Sequence, residues 1–260
     1  MSNSMFNYVL FGFQVYNLLY FYFIYAFMGW CIESVYASLE DAHFVNRGFL
    51  NGPFCPIYGF GALILIIVLR PVMDNILLLF IGAVILTSVL EYITGFALEK
   101  VFNHKWWDYS SRSFNIQGRI CLRFSIYWGI ISVLILKILH PQVIDWIERI
   151  PAYYGLIGLF ILLTYFLGDF ILTLSSVIKL NVLIVQMHSI GLEIEETMEH
   201  IKQTSLEGIE DTIDELKGKY ETMSIKIISS HQRLLKAFPN LRSTHYDHIL
   251  QDIKDRMSQL

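Results

Sequence analysis

The 260 residues are 55% hydrophobic and only 16% charged, with a mean hydropathy of +0.50 and a formal net charge of −4. Soluble domains carry roughly 25% charged residues, so this composition excludes an ordinary soluble domain and points to a protein of the lipid bilayer. The chain has no basic excess of the kind a nucleic-acid groove requires, so no nucleic-acid partner is expected.

The charge is unevenly spread. Residues 1–180 hold ten Lys/Arg and ten Asp/Glu, whereas residues 181–260 hold nine and thirteen. The chain therefore reads as a neutral transmembrane domain, 1–180, and an acidic cytoplasmic helical tail, 181–260. Cys31, Cys55 and Cys121 form no C-x-x-C pair and no His/Cys cluster with zinc spacing, so neither a metal nor another cofactor is expected. The first charged residue is Glu33. Without a basic stretch ahead of it, the first apolar run reads as a permanent span rather than a cleaved signal.

Five runs are candidates to cross the hydrocarbon, which takes about 20 helical residues. They lie near Val15–Tyr36, Ile57–Val72, Asn75–Leu98, Ile120–Leu139 and Tyr153–Lys179. The expected fold is an all-α polytopic bundle. Between the first two runs lies Asn46-Arg47-Gly48-Phe49-Leu50-Asn51-Gly52-Pro53-Phe54-Cys55-Pro56-Ile57-Tyr58-Gly59-Phe60-Gly61. This segment is apolar enough to enter a bilayer, but its glycines and prolines forbid a smooth helix. Irregular backbone survives in lipid only where protein or a wet cavity satisfies its polar groups. A broken or re-entrant segment wrapped by the other helices is the expectation. Arg70-Pro71-Val72-Met73-Asp74 then turns the second run into the third.

Orientation follows from the basic residues. Arg47, Lys100, Lys105, Arg112, Arg119 and Arg123 flank one set of loops, against Arg70, Lys137 and Arg149 on the other. That bias places the N-terminus outside and the C-terminus in the cytoplasm, with loops 38–56 and 100–119 on the cytoplasmic side. Glu33 then lies near the inner end of span one. Glu91 lies about 22 Å along span three at 1.5 Å per residue. Glu99 and Asp169 fall in the same inner half, at the level of Arg47, Arg119 and Arg123. Charges in lipid are costly, so these groups should face one another or a wet cavity. They are either ion pairs that hold the bundle or a site for a substrate or ion.

The candidate site residues are Glu33, Asn46, Arg47, Asn51, Glu91, Asp108, Tyr109, Asn115 and Arg119. Within Trp106-Trp107-Asp108-Tyr109 the aromatic rings suit interface anchors, and Asp108 is placed to accept from Arg47 or Arg119. Asn115 suits a helix cap for a fourth span that begins at Gly118-Arg119. An anion or lipid phosphate is then a candidate ligand at that helix N-terminus.

In the tail, Leu206, Ile209, Ile213, Leu216, Tyr220, Met223, Ile227 and Leu234 step by three and four or by seven, as in a coiled coil or a helical hairpin. An earlier stripe, Ile190, Ile194, Met198 and Ile201, is out of phase and predicts a bend near Ser205. Self-association through the tail is the expectation, with docking to a separate cytoplasmic partner as the alternative. His245 and His248 read as a solvated face. No esterase, metalloprotease or phosphate-loop signature occurs, so the chain does not read as an enzyme, and any ATP must be bound by another chain. Cys55 has only His43 nearby in sequence as an activating base.

Gly29-Trp30 with Glu33, the run from Asn46 to Gly59, Glu91-Tyr92, Glu99, Trp107-Asp108-Tyr109, Asn115 and Gly118-Arg119 with Cys121-Leu122 resemble, in the same order, the family described as putative ABC-transporter type IV, the CmpB-like putative ABC transporter permeases. The likeness covers roughly residues 16–140 and implies a multi-pass transport component working with a separate ATPase subunit. It implies nothing about the tail. The alternatives are a membrane-anchored scaffold or sensor acting through the tail, and a lipid-modifying enzyme that depends on Cys55 or Glu33.

Overall fold

Residues 8–204 and 210–259 are described by a computed structural model of the chain. A tight hairpin of β1 (Val9–Leu10) and β2 (Phe13–Gln14) leads into α1, Val15–Asp41. Helix α1 ends at Ala42, which adopts the left-handed conformation at φ 55°. An irregular strap of residues 42–55 follows, and then α2, Pro56–Val68. Gly29 of α1 lies beneath the Tyr58 ring of α2, where any Cβ would overlap the ring. That close approach welds the two helices together.

Helix α2 is shorter than the run Ile57–Val72 suggested. Pro71 offers no amide hydrogen to extend it, and Arg70–Val72 form a 3-10 turn instead. Asn75 caps α3 (Ile76–Phe102), its Oδ1 accepting from the backbone amides of Leu77 and Leu78 at 3.2 and 3.1 Å. After β3 (His104–Lys105), a second hairpin of β4 (Asn115–Ile116) and β5 (Ile120–Cys121) precedes α4, Leu122–Leu134. A π turn over Ile135–Leu139 passes into α5, His140–Glu148, so one continuous helical span runs from Leu122 to Glu148. The sequence placed this span at Ile120–Leu139. The π turn absorbs the register slip that Pro141, lacking a donor, forces on the helix.

Helix α6 is unbroken from Ala152 to Thr204, so the last apolar run continues through residue 180 into the tail. Among the described residues, four helical segments are long and apolar enough to cross a membrane: α1, α3, Leu122–Glu148 and the apolar part of α6. With the shorter α2 they make an all-α membrane bundle, and its large exposed side chains (Ile76, Leu77, Phe160, Ile171) suit a lipid-facing surface.

The chain divides into two compact units. The first comprises residues 1–97 and 108–173. Phe21, Leu50, Ile66 and Leu79 are almost wholly buried at its centre, beside edge-to-face contacts among Tyr22, Phe23, Phe54 and Phe166. At one end the Arg70 guanidinium lies 4.9 Å from the Phe13 ring centroid, and residues 12–17 share a cleft with residues 147–152. The hairpin at the N-terminus, the α2–α3 turn and the α5–α6 turn therefore lie at the same end.

The second unit comprises residues 98–107 and 174–260. In it α7 (Glu210–Ala237) and α8 (Asp247–Ser258) pack together, and β6 (Arg242–Ser243) pairs with β3. Helix α7 is kinked at His231, whose Nε2 meets the Ser176 carbonyl at 3.0 Å. Ile213, Leu216, Ile227 and Leu234 of the predicted α7 stripe are buried, as are Ile184 and Met187 of α6 and Ile253 of α8. The bend expected near Ser205, with Leu206 and Ile209, lies outside the described residues. His248 is exposed, with its ring 5.8 Å from that of His188.

Candidate functional site

The strap is satisfied by one stripe of α1. Ser38, Ser34, Trp30 and Ala26 recur every four residues and so share a face. The Val45 amide donates to Ser38 Oγ at 2.9 Å, and the Arg47 amide donates to Ser34 Oγ at 3.4 Å. Trp30 Nε1 donates to Asn46 Oδ1 at 2.8 Å, and the Cys55 amide reaches the Ala26 carbonyl at 2.9 Å. From Ser38 to Ala26 the strap descends about 18 Å along the helix. This is how irregular backbone is held inside an apolar bundle. Asn46 closes the strap on itself, accepting from the Gly48 amide and donating through Nδ2 to the Asn51 carbonyl at 2.7 Å.

The far side of the strap is clasped by α6. Asp169 is 8% exposed. Its Oδ1 accepts from the Asn51 amide at 3.1 Å and from Asn51 Nδ2 at 3.0 Å, and its Oδ2 accepts from the Gly52 amide at 2.7 Å. Asn51 Nδ2 also donates to Thr173 Oγ1 at 2.9 Å. A buried carboxylate is thus compensated by neutral donors. Asn46 and Asn51, both predicted site residues, serve to fix the strap.

The strap and α2 carry two further polar groups to Glu33. Tyr58 Oη donates to Glu33 Oε1 at 2.5 Å, and Arg47 Nε lies 3.5 Å from Glu33 Oε2. From α3, Glu91 is only 9% exposed. Its Oε1 accepts from Tyr109 Oη at 3.2 Å, while its buried Oε2 has no hydrogen-bond partner among the described residues. The Tyr109 ring stacks on Phe124 with centroids 4.8 Å apart, and the Tyr58 ring meets Trp128 edge-on at 5.6 Å. The fields of Glu33 and Glu91 overlap, and both reach Tyr109. Burial first, and then the Glu91 carboxylate, hold the Tyr109 proton well above the usual phenol range. Two carboxylates, two phenols and one guanidinium therefore share a small region walled by aromatic rings.

The remaining predicted residues build the loop that carries Tyr109. Asp108 Oδ1 accepts from the Ser110 amide at 2.9 Å and from Ser110 Oγ at 2.5 Å, closing a local turn. Asn115 does not cap a helix. It lies in β4, donates to the carbonyls of Ser110 and Arg112 at 3.2 and 2.8 Å, and accepts from the Gly118 amide at 3.1 Å. Gln117 and Gly118, at φ 53° and 69°, form the hairpin turn, so Gly118-Arg119 does not begin the fourth span. That helix starts at Leu122, and its preceding residue, Cys121, makes no side-chain cap. Arg119 therefore lies three residues ahead of that helix rather than in its first turn. The Arg119 guanidinium lies over the Tyr92 and Phe96 rings at 5.3 and 5.4 Å and donates to Gln117 Oε1.

Of the predicted residues, Glu33, Arg47, Glu91 and Tyr109 come together, while Asn46, Asn51, Asp108 and Asn115 hold the loops that deliver them. Sequence reasoning read Tyr58 only as part of the Asn46–Gly61 segment and gave it no role at the site. It also left the Ser38/Ser34/Trp30/Ala26 stripe unread, although the four-residue repeat was available as a signal. Cys55 and Cys121 are buried free thiols and Cys31 is partly exposed. Among the described residues, no group of three or more His, Cys, Asp or Glu side chains is arranged to hold a metal ion.

A family model described as "Putative ABC-transporter type IV" matches residues 20–174, from the second turn of α1 to just past Asp169 and Thr173. The chain belongs to this family. The matched region holds the whole strap, its α1 and α6 clasps and the Glu33–Glu91 region, and it leaves the whole tail, 181–260, outside. No curated protein and no solved structure matches the chain.

Proposed function

We propose that the chain is the membrane-spanning, permease-like component of a transporter, with its cargo or coupling ion handled by Glu33, Arg47, Tyr58, Glu91 and Tyr109. The observation that carries this reading is the convergence of ionisable side chains from α1, the strap, α2, α3 and the 103–121 loop inside an apolar bundle. Polar groups cost free energy there, and in membrane proteins they mark ion and substrate paths. Membership of the family supports the same reading. The chain carries no nucleotide-binding signature, so a separate ATPase subunit supplies any energy from ATP. The site opens toward the cytoplasm of a cell membrane, with the N-terminus outside, because Arg47, Arg112, Arg119 and Arg123 flank that end of the bundle against Arg70 and Arg149 at the other. The chain acts by transport rather than as an enzyme. The test is flux in proteoliposomes containing the chain with its copurifying ATPase. Glu91→Gln and Arg47→Ala should lower flux at least tenfold, and unchanged flux in both removes the cluster from transport.

A second reading rests on the independent core of residues 98–107 and 174–260. In it the tail is a scaffold that self-associates or recruits a partner, and the membrane charges only hold the bundle. Deleting residues 206–260 separates the two. Recruitment should vanish under the scaffold reading, and flux should survive in part under the transport reading.

A further inference from the structure

Glu91 Oε2 is the one feature of the cluster that its own contacts do not explain. The residue is nine-tenths buried, its other oxygen has the Tyr109 hydroxyl, and Oε2 has no donor among the described residues. Glu33 is already matched, by Tyr58 on one oxygen and Arg47 on the other. The groups acting on Glu91 are Tyr109, a neutral donor, and Glu33, a like charge. A buried carboxylate oxygen with no donor and a second acid nearby is an unfavourable arrangement unless a positive charge joins it.

We propose that Glu91 Oε2 binds one exchangeable monovalent cation, a proton or an alkali-metal ion, between the Glu33 and Glu91 carboxylates. The titratable neighbours of Glu91 are Tyr109 of the loop and Glu33 of α1; Glu33 is in turn neighboured by Arg47 and Cys55 of the strap and Tyr58 of α2, and Tyr109 by Cys121. Among the described residues named here, the two glutamates and Arg47 are the charged side chains when Tyr109 holds its proton, so one added cation brings the group to neutrality. A divalent metal is disfavoured, because only two carboxylates are present and none of the groups meets the usual set of oxygen ligands. The proposal deepens the transport reading by naming the ion class at the same site, and it rests on that reading only for the ion's part in transport.

Infrared difference spectra of the full chain in liposomes test the site directly. One arm steps the pH in choline buffer, and the other exchanges choline for sodium or potassium at fixed pH. The expected result is a glutamate carboxyl signal in one arm, lost in Glu91→Gln and retained in Asp74→Asn, which lies on an exposed turn. A response to pH alone, shifted in heavy water, assigns the proton; a response to sodium or potassium assigns the alkali ion. No signal in either arm, or a signal that survives Glu91→Gln, overturns the proposal. If Glu91→Gln fails to fold by circular dichroism, Tyr109→Phe takes its place, since loss of the Oε1 donor must shift the band; an unshifted band overturns the proposal. A band present without flux rejects transport and leaves the ion site standing.

Discussion

Asp169 Oδ2 accepts the Gly52 amide hydrogen at 2.7 Å across 117 positions of sequence. The same carboxylate takes two further bonds from Asn51, so one acid in α6 decides where the strap lies. Asp169→Asn turns an amide donor toward one of those buried donors. It should lower stability by about 2 kcal/mol or more, seen as a lower Tm in detergent. An unchanged Tm would mean that the clasp does not hold the strap.

Gly52→Ala probes the same clasp from the other side. An added Cβ would sit 3.0 Å from Asp169 Oδ2 and collide with the Tyr165 hydroxyl. Strain of about 1–3 kcal/mol is expected, again as a loss of Tm. The double variant with Asp169→Asn should lose less than the sum of the two, because they disturb one contact.

Ser38→Ala leaves the Val45 amide without its acceptor and removes the Ser38 bond to the Ser34 carbonyl. The expected cost is about 1 kcal/mol. Hydrogen exchange at Val45 should rise in this variant while exchange at Cys55, at the other end of the stripe, stays protected.

The tail has its own pH signature. Lys254 Nζ donates to the carbonyls of Pro239 and Leu241 at 2.8 and 2.5 Å. Burial lowers its pKa from 10.5 to about 8, partly offset by Asp247. Below about 8 both folded and unfolded lysine are protonated, and the folded state bears the full cost of the buried charge. As pH rises from about 8 to 10.5 the unfolded chain binds more protons than the folded one, so stability of the tail should rise across that window. Thermal scans across it, read from the environment of Trp106 against Phe238, should show the rise. Lys254→Met should flatten it.

The bundle was legible because hydrophobic runs mark its helices, although the second of the five runs yields only the thirteen-residue α2. Glu33, Arg47, Glu91 and Tyr109 were legible because ionisable and phenolic groups are conspicuous in an apolar chain. The role of Tyr58 was not, since the motif that contains it does not show its hydroxyl reaching Glu33 until α2 is docked on Gly29. Asn115 misled because an asparagine before an apolar run looks the same in a cap and in a hairpin. The left-handed pair Gln117-Gly118 decides for the hairpin. The unbroken α6 was hidden by composition: polarity changes near residue 180, but nothing in the backbone stops there.

Cysteine labelling of a cysteine-free background in sealed vesicles, with a membrane-impermeant maleimide, tests the central geometry. Positions 47 and 108 should label from one face of the membrane, and positions 74 and 149, on the two turns at the other end of the bundle, from the opposite face. Positions 47 and 108 labelling from opposite faces would contradict it, for then Arg47 and the loop bearing Tyr109 could not meet around Glu33 and Glu91.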